Sequence, residues 1–377
     1  MTTTRDVSCP RCGAPVPWDG VVPSLPCPFC AATIVPGASP PPSPGLPVGA
    51  RSGGGIGCVI GAVVAVVALM VVGGAVFALL ALRSAPSSSP PVVVVGPAVA
   101  ATSVKTVTSP GSDVATQVLS FGDEGNGPGQ LTDARTIAVD MDENVYVADY
   151  SSGRVQKFDP AGKFQWIISV PKNTLSGDLN IFGLAVDTKK TLWVARTGDL
   201  LEYATADGKP TGTIKGDYDS TWFRYIAIDP LGNMATTHDS AGNSDFLRLD
   251  PKGKVTQRVK NKDPSGLALD GAGNAYLTGD NDGVVEVLDP KGAVKSRFGS
   301  KKDKHTAGAR AIAVDGKGRI YLEANEGINV LDEGGAYIAT LPYHGGMRSL
   351  TVSTKGNVFL LTNTEKVLKF TPGPGLK

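Results

Sequence analysis

A short apolar strand ending in Asp recurs through the C-terminal part of the chain: Ile137-Ala-Val-Asp140, Leu184-Ala-Val-Asp187, Ile226-Ala-Ile-Asp229, Leu267-Ala-Leu-Asp270, Ile312-Ala-Val-Asp315 and, in altered form, Leu350-Thr-Val-Ser353. Successive starts are 47, 42, 41, 45 and 38 residues apart. A strand-bearing unit of this size cannot bury its apolar face alone, and copies arranged in a ring bury it against one another. After each Asp come turn residues and a second strand, as in Asn144-Val-Tyr-Val-Ala148, Asn274-Ala-Tyr-Leu-Thr278 and Asn357-Val-Phe-Leu-Leu361. An Asp side chain caps such a turn, and Gly232, Gly273, Gly318 and Gly356 supply its positive φ. A third strand runs to another turn, seen in Phe158-Asp-Pro-Ala-Gly162 and Leu288-Asp-Pro-Lys-Gly292, and a fourth leads outward. The 47 glycines and 28 prolines among 377 residues suit short strands and tight turns.

The pattern predicts an all-β, six-bladed β-propeller over residues 113–377, with five or seven blades as alternatives. The sixth repeat supplies only three strands, while Thr116-Gln-Val-Leu-Ser-Phe121 reads as an outer strand placed ahead of the first repeat. Pairing the two ends closes the ring and removes both exposed edges.

Within the first repeat, Phe121-Gly122, Gly129-Gln-Leu131, Ile137-Ala-Val-Asp140, Asn144-Val-Tyr-Val-Ala-Asp149 and Arg154-Val-Gln-Lys-Phe-Asp159 resemble the NHL-repeat family. Later repeats depart from it: Lys190-Thr191 stands where Gly-Asn is usual, and Ser353 replaces Asp. The resemblance implies a fold shared by binding modules and a few enzymes. Streptogramin lyases and peptide-amidating lyases have similar repeats and act with histidines and a divalent metal; His238, His305, His344 and Glu323 are the residues such an activity would use.

All five cysteines lie in the first 58 residues. Cys9-Pro-Arg-Cys12 and Cys27-Pro-Phe-Cys30 are separated by fourteen residues, so two thiolate knuckles can complete a closed tetrahedral shell for zinc. With four protein ligands no position is left for a reacting water, and the zinc is expected to be structural; iron or redox disulfides are the alternatives. Residues 1–35 resemble a zinc ribbon, matching at Gly13 and departing at Ala31.

No charge occurs between Arg51 and Arg83, and residues 56–82 form a Val-, Ala-, Leu-, Ile- and Gly-rich run long enough for one transmembrane helix. Gly53, Gly57, Gly61 and Ala65 make a small-residue stripe that would let two helices pair as a homodimer, although such residues are also common in single spans. A Pro/Gly-rich linker (36–55) precedes the span, and a Pro/Ser/Val-rich one (83–112), of a composition that cannot build a core, follows it. Metal-binding thiols need a reducing side, which puts the N-terminus in the cytosol and the cysteine-free propeller outside it, as in a bacterial inner-membrane protein.

Residues 113–377 hold 31 Lys and Arg against 33 Asp and Glu, so no polyanion footprint is present and nucleic acid is not an expected partner. The residues two before each Ile/Leu start are Arg135, Phe182, Arg224, Ser265, Arg310 and Arg348. On a pseudo-sixfold ring the four arginines would point to the mouth of the central channel and attract a carboxylate, phosphate or acidic peptide. The ends of the second strands bring Asp149, Arg196, His238 and Glu323 to the same face. Alternatively these charges pair across blades, as Arg135 with Asp149, and only set blade spacing. Asp140-Met-Asp142-Glu-Asn144 begins like a calcium loop but lacks its glycine and distal glutamate, and reads as a hairpin turn. No nucleophile elbow, phosphate loop or kinase signature occurs. The expected function is a membrane-anchored binding or scaffold protein whose propeller recognises a protein, peptide or envelope polymer, with a propeller lyase as the alternative.

Overall fold

The computed structural model describes residues 113–376 apart from breaks at 174–175, 216–221, 241–242, 261, 280–281 and 326, together with short pieces between residues 5 and 35. Cys9, Cys12, Cys27 and Cys30, the apolar run 56–82 and both linkers fall outside the described residues. Among the described residues no helix is long and apolar enough to cross a membrane. Near the N-terminus, Arg5–Ser8 pairs antiparallel with Pro15–Trp18, and Leu25–Pro26 with Thr33–Ile34.

From residue 115 the chain forms six four-stranded antiparallel sheets. Their innermost strands are Ala134–Val139, Ile181–Val186, Trp222–Ile228, Pro264–Leu269, Ile312–Val314 and Met347–Val352. These strands touch in cyclic order, the last against the first, which makes a closed six-bladed β-propeller. Closure comes from Ala115–Phe121, which pairs with Val367–Pro372 as the fourth strand of blade 6, in the register Val367 with Phe121 through Pro372 with Ala115. The seam is also packed: Phe121 meets Phe158 of blade 1 with ring centroids 4.9 Å apart, and Glu365 Oε2 accepts the N–H of Ala134 at 3.1 Å.

Five of the six blades repeat one local device. Asp140 Oδ1 accepts the N–H groups of Asp142 (3.0 Å) and Asn144 (2.8 Å), while Oδ2 accepts Asn144 Nδ2 (2.8 Å) and the hydroxyl of Tyr146 (2.9 Å). Asp187, Asp229, Asp270 and Asp315 cap their own turns in the same way. The carboxylate is therefore committed to the hairpin, which accounts for its recurrence. At the left-handed position of the turn, where later repeats use glycine, blades 1 and 2 hold Glu143 at φ 65° and Lys190 at φ 64°.

The sixth turn has Ser353 in place of Asp, and a neighbour repairs it. Glu143 reaches from blade 1 to accept Ser353 Oγ (2.8 Å), Asn357 Nδ2 (2.6 Å) and Lys369 Nζ (3.0 Å). One carboxylate thus caps the irregular turn and ties the closing seam. Between blades the core is apolar and aromatic, as where Tyr146, Trp166 and Ile168 of blade 1 pack on Leu184, Leu192 and Tyr203 of blade 2.

Candidate functional site

Each inner strand enters the channel from one end, and five of the six carry a register shift there. The shifts fall between Ala134 and Thr136, Ile181 and Gly183, Phe223 and Ile226, Pro264 and Gly266, and Met347 and Ser349. The extra residue of a bulge loses its ladder partner and its side chain is re-aimed. Here the bulged residues include Arg135, Phe182, Arg224, Ser265 and Arg348; Arg310 sits just ahead of the short fifth inner strand. All six line one cavity of about 700 Å³ at the mouth, joined by Asp263 and Glu323. Gly183 and Gly266 let adjacent inner strands approach: a Cβ on either would run into the backbone carbonyl of Arg224 or Arg310 respectively.

Below the mouth, Val139, Val186, Ile228, Leu269, Val314 and Val352 form an apolar waist shared with a second cavity of about 160 Å³ at the other end, where the capping aspartates lie. Those carboxylates are spent on their turns, so the open polar groups of the channel are concentrated at the arginine end.

The four mouth arginines differ in their partners. Arg135 binds Asp133 through Nε (2.8 Å) and Nη2 (3.2 Å), and its guanidinium lies 3.8 Å over the Tyr150 ring, which in turn meets Phe182 edge-on at 5.4 Å. Arg224 pairs with Asp239 at 2.5 Å and lies 3.9 Å from Asp263. Arg310 and Arg348 are exposed and form no ion pair among the described residues. Glu323 has its carboxyl pushed up by burial, an effect that the charge of Arg310 and the N–H of Ala311 partly offset.

Three other candidate residues lie elsewhere. Asp149 does not meet Arg135; it is 1% exposed, accepts the Thr132 N–H at 2.9 Å, and pairs with Arg154. Burial raises its carboxyl, with Thr132 and Arg154 acting against the rise. Arg196 is buried against Asp199 at 2.8 Å and donates to the carbonyl of Pro171. His238 is buried with its ring edge-on to Phe223 at 5.6 Å and Nδ1 3.5 Å from Arg258. The second strands stand one layer behind the channel wall, so these ends pair inside or between blades, and of that set Glu323 alone reaches the cavity.

The histidines are dispersed as well: His305 stacks on Tyr337 at 3.8 Å, and His344 is exposed. Among the described residues no three His, Cys, Asp or Glu side chains converge as a metal site. Sequence reasoning missed the bulges and the carboxylate partners; Asp133, two residues before Arg135, was the one local signal for such a partner.

No family model matches the chain. A stretch of 47 residues is 47% identical to E3 ubiquitin-protein ligase TRIM71 of Rattus norvegicus, covering 12% of this chain and only 6% of that protein. Among solved structures, the chain is similar to a gluconolactonase from Xanthomonas campestris at TM-score 0.52 and 18% identity, over 74% of this chain and 98% of that one. It is also similar to a streptogramin B lyase at TM-score 0.50 and 12% identity, over 76% of this chain and 100% of that one. At these identities the likeness is one of fold, and the chain takes its place among the six-bladed β-propellers.

Proposed function

We propose that the chain is a membrane-tethered binding protein whose NHL-type propeller recognises an anionic protein, peptide or envelope polymer at the arginine-lined mouth. The observation that carries the reading is the ring of inner-strand entries: four arginines at equivalent places, three of them at bulges, line one cavity of about 700 Å³, and two of them form no ion pair among the described residues. Guanidinium groups in such a concavity favour carboxylate or phosphate, by about 1.5–3 kcal/mol per charge-assisted hydrogen bond. Full-length protein in detergent is expected to bind oligo-glutamate, more weakly as salt rises. Replacing Arg224, Arg310 and Arg348 together by Ala is expected to lower the affinity at least ~100-fold. Oligo-glutamate titrations showing no binding, or the same affinity for the triple variant, would rule the reading out.

The span at 56–82 and the thiol quartet are part of the same proposal. In the sequence each Cys-x2-Cys pair falls between two short strands that pair antiparallel, an order that suits a zinc knuckle. Zinc held by Cys9, Cys12, Cys27 and Cys30 would be structural. Chain recovered from the membrane fraction is expected to carry zinc, and Cys27→Ser to lose it; recovery in the soluble fraction, or metal-free, counts against this part. A C-terminal reporter active only in the cytosol would reverse the orientation. The lyase alternative would need divalent-metal binding that His238→Ala or His344→Ala removes.

A further inference from the structure

The mouth is lopsided. Arg135 and Arg224 are each engaged by a carboxylate on their own blade or its entry loop, Asp133 and Asp239, whereas Arg310 and Arg348, on the adjacent blades 5 and 6, form no ion pair among the described residues. The two mouth arginines without a close ion pair therefore share one sector, where Glu323 acts on Arg310 and Glu365 on Arg348 only through charge at longer range. In that sector the main cavity opens into a side cavity of about 300 Å³, lined by Arg310, Glu323, Asn325, Tyr343, His344 and Met347. The Tyr343 hydroxyl is occupied by the carbonyl of Gly346 at 2.9 Å. The Glu323 carboxylate is served by the N–H of Ala311 but accepts no side-chain hydrogen bond among the described residues, and that donor and the guanidinium of Arg310 only partly offset the penalty that burial puts on its charge. A half-buried carboxylate in such a state gains from a donor brought by a ligand.

We propose, building on the anion-binding reading above, that the seat is this one sector: Arg310 and Arg348 take a carboxylate or phosphate, and Glu323 takes a hydroxyl of the same group. The ligand class is then a hydroxy acid unit rather than a bare polyanion. Arg135, held by Asp133 and lying on Tyr150, and Arg224, held by Asp239, shape the opposite wall without binding the anion.

Tartrate and succinate share a carbon chain and both carboxylates and differ only in hydroxyls, so calorimetric titration of the full-length chain with each isolates the two roles. Tartrate is expected to bind about 10-fold more tightly than succinate. Glu323→Ala is expected to erase that preference while changing succinate affinity less than about twofold, and Glu323→Gln, which retains an acceptor oxygen, to keep part of it. Arg310→Ala and Arg348→Ala are expected to weaken both acids about 10-fold, and Arg135→Ala and Arg224→Ala to change neither by more than about twofold. Equal affinities for the two acids, or losses spread evenly over the four arginines, overturn the inference. Failure of both acids to bind while oligo-glutamate still does overturns it and leaves the anion-binding mouth standing; failure of oligo-glutamate as well removes both.

Discussion

Deletion of residues 113–122 is expected to leave a chain that no longer unfolds in one cooperative transition and that associates with itself. The deletion removes the fourth strand of blade 6, and with it the burial of Ala115, Leu119 and Phe121. Large-to-small losses at a buried Leu and a buried Phe each cost about 2–5 kcal/mol, so the two together approach the whole stability of an ordinary domain, about 5–15 kcal/mol. It also strips the hydrogen-bond partner from Val367–Pro372 and exposes that strand as an edge open to other chains. The single substitution Phe121→Ala, which empties the contact with Phe158, is expected to cost about 3–5 kcal/mol. Urea titration and size measurement decide the matter. A deletion variant with an unchanged midpoint and a monomeric size would show that the ring does not depend on this strand.

Glu143→Ala is expected to destabilise the propeller by about 3 kcal/mol more near neutral pH than in strong acid. Burial by itself raises the Glu143 carboxyl, but hydrogen bonds from Asn357, Ser353 and Lys369, with the charge of Lys369, outweigh burial and bring it from 4.5 to about 2. The unfolded chain therefore holds this proton more tightly than the folded one. The stabilisation is fully present above pH 4.5 and drains away as the pH falls toward about 2. A shift of that size corresponds to about 3 kcal/mol at 1.36 kcal/mol per pH unit. The side chain is only 6% exposed, so solvent screening takes little from the figure. The gap between the denaturation midpoints of wild type and variant should narrow between pH 4.5 and 2; a gap that stays constant across that window would mean the carboxylate charge is not what ties the seam.

The ring, its blade number and its closure were legible because each repeat carries two independent signals, an apolar run of fixed length and an Asp that must cap its turn. The missing fourth strand and the spare Thr116–Phe121 segment then had only each other to pair with. The four arginines were legible as equivalent positions for the same reason. What turns three of them to the channel was not, because a bulge is a register shift between two strands and leaves no mark in the spacing of apolar residues. Asp149, Arg196 and His238 were misplaced at the mouth because the ends of the second strands belong to the same face but stand behind the wall, where Arg154, Asp199 and Phe223 meet them. Glu143 in the sixth turn was out of reach: the substitution of Ser353 was visible, but its repair by a residue 210 positions away follows only once blade 1 lies beside blade 6. Asp239 beside Arg224 needed the same knowledge of which strand ends come together.

The sealing strand also fixes the end at which the chain enters the ring. Its first residue, Ala115, pairs with Pro372, which lies by the hairpin of Gly356, and Leu376 is held by Arg319 of another capping turn; its last residue, Phe121, leads to Asp123 and on to Asp133 beside Arg135. Whatever precedes residue 113 is thus attached at the aspartate end. The arginines open on the opposite pole from Ala115, and any pull on the chain ahead of this strand is delivered to the seam that Phe121 and Glu143 fasten.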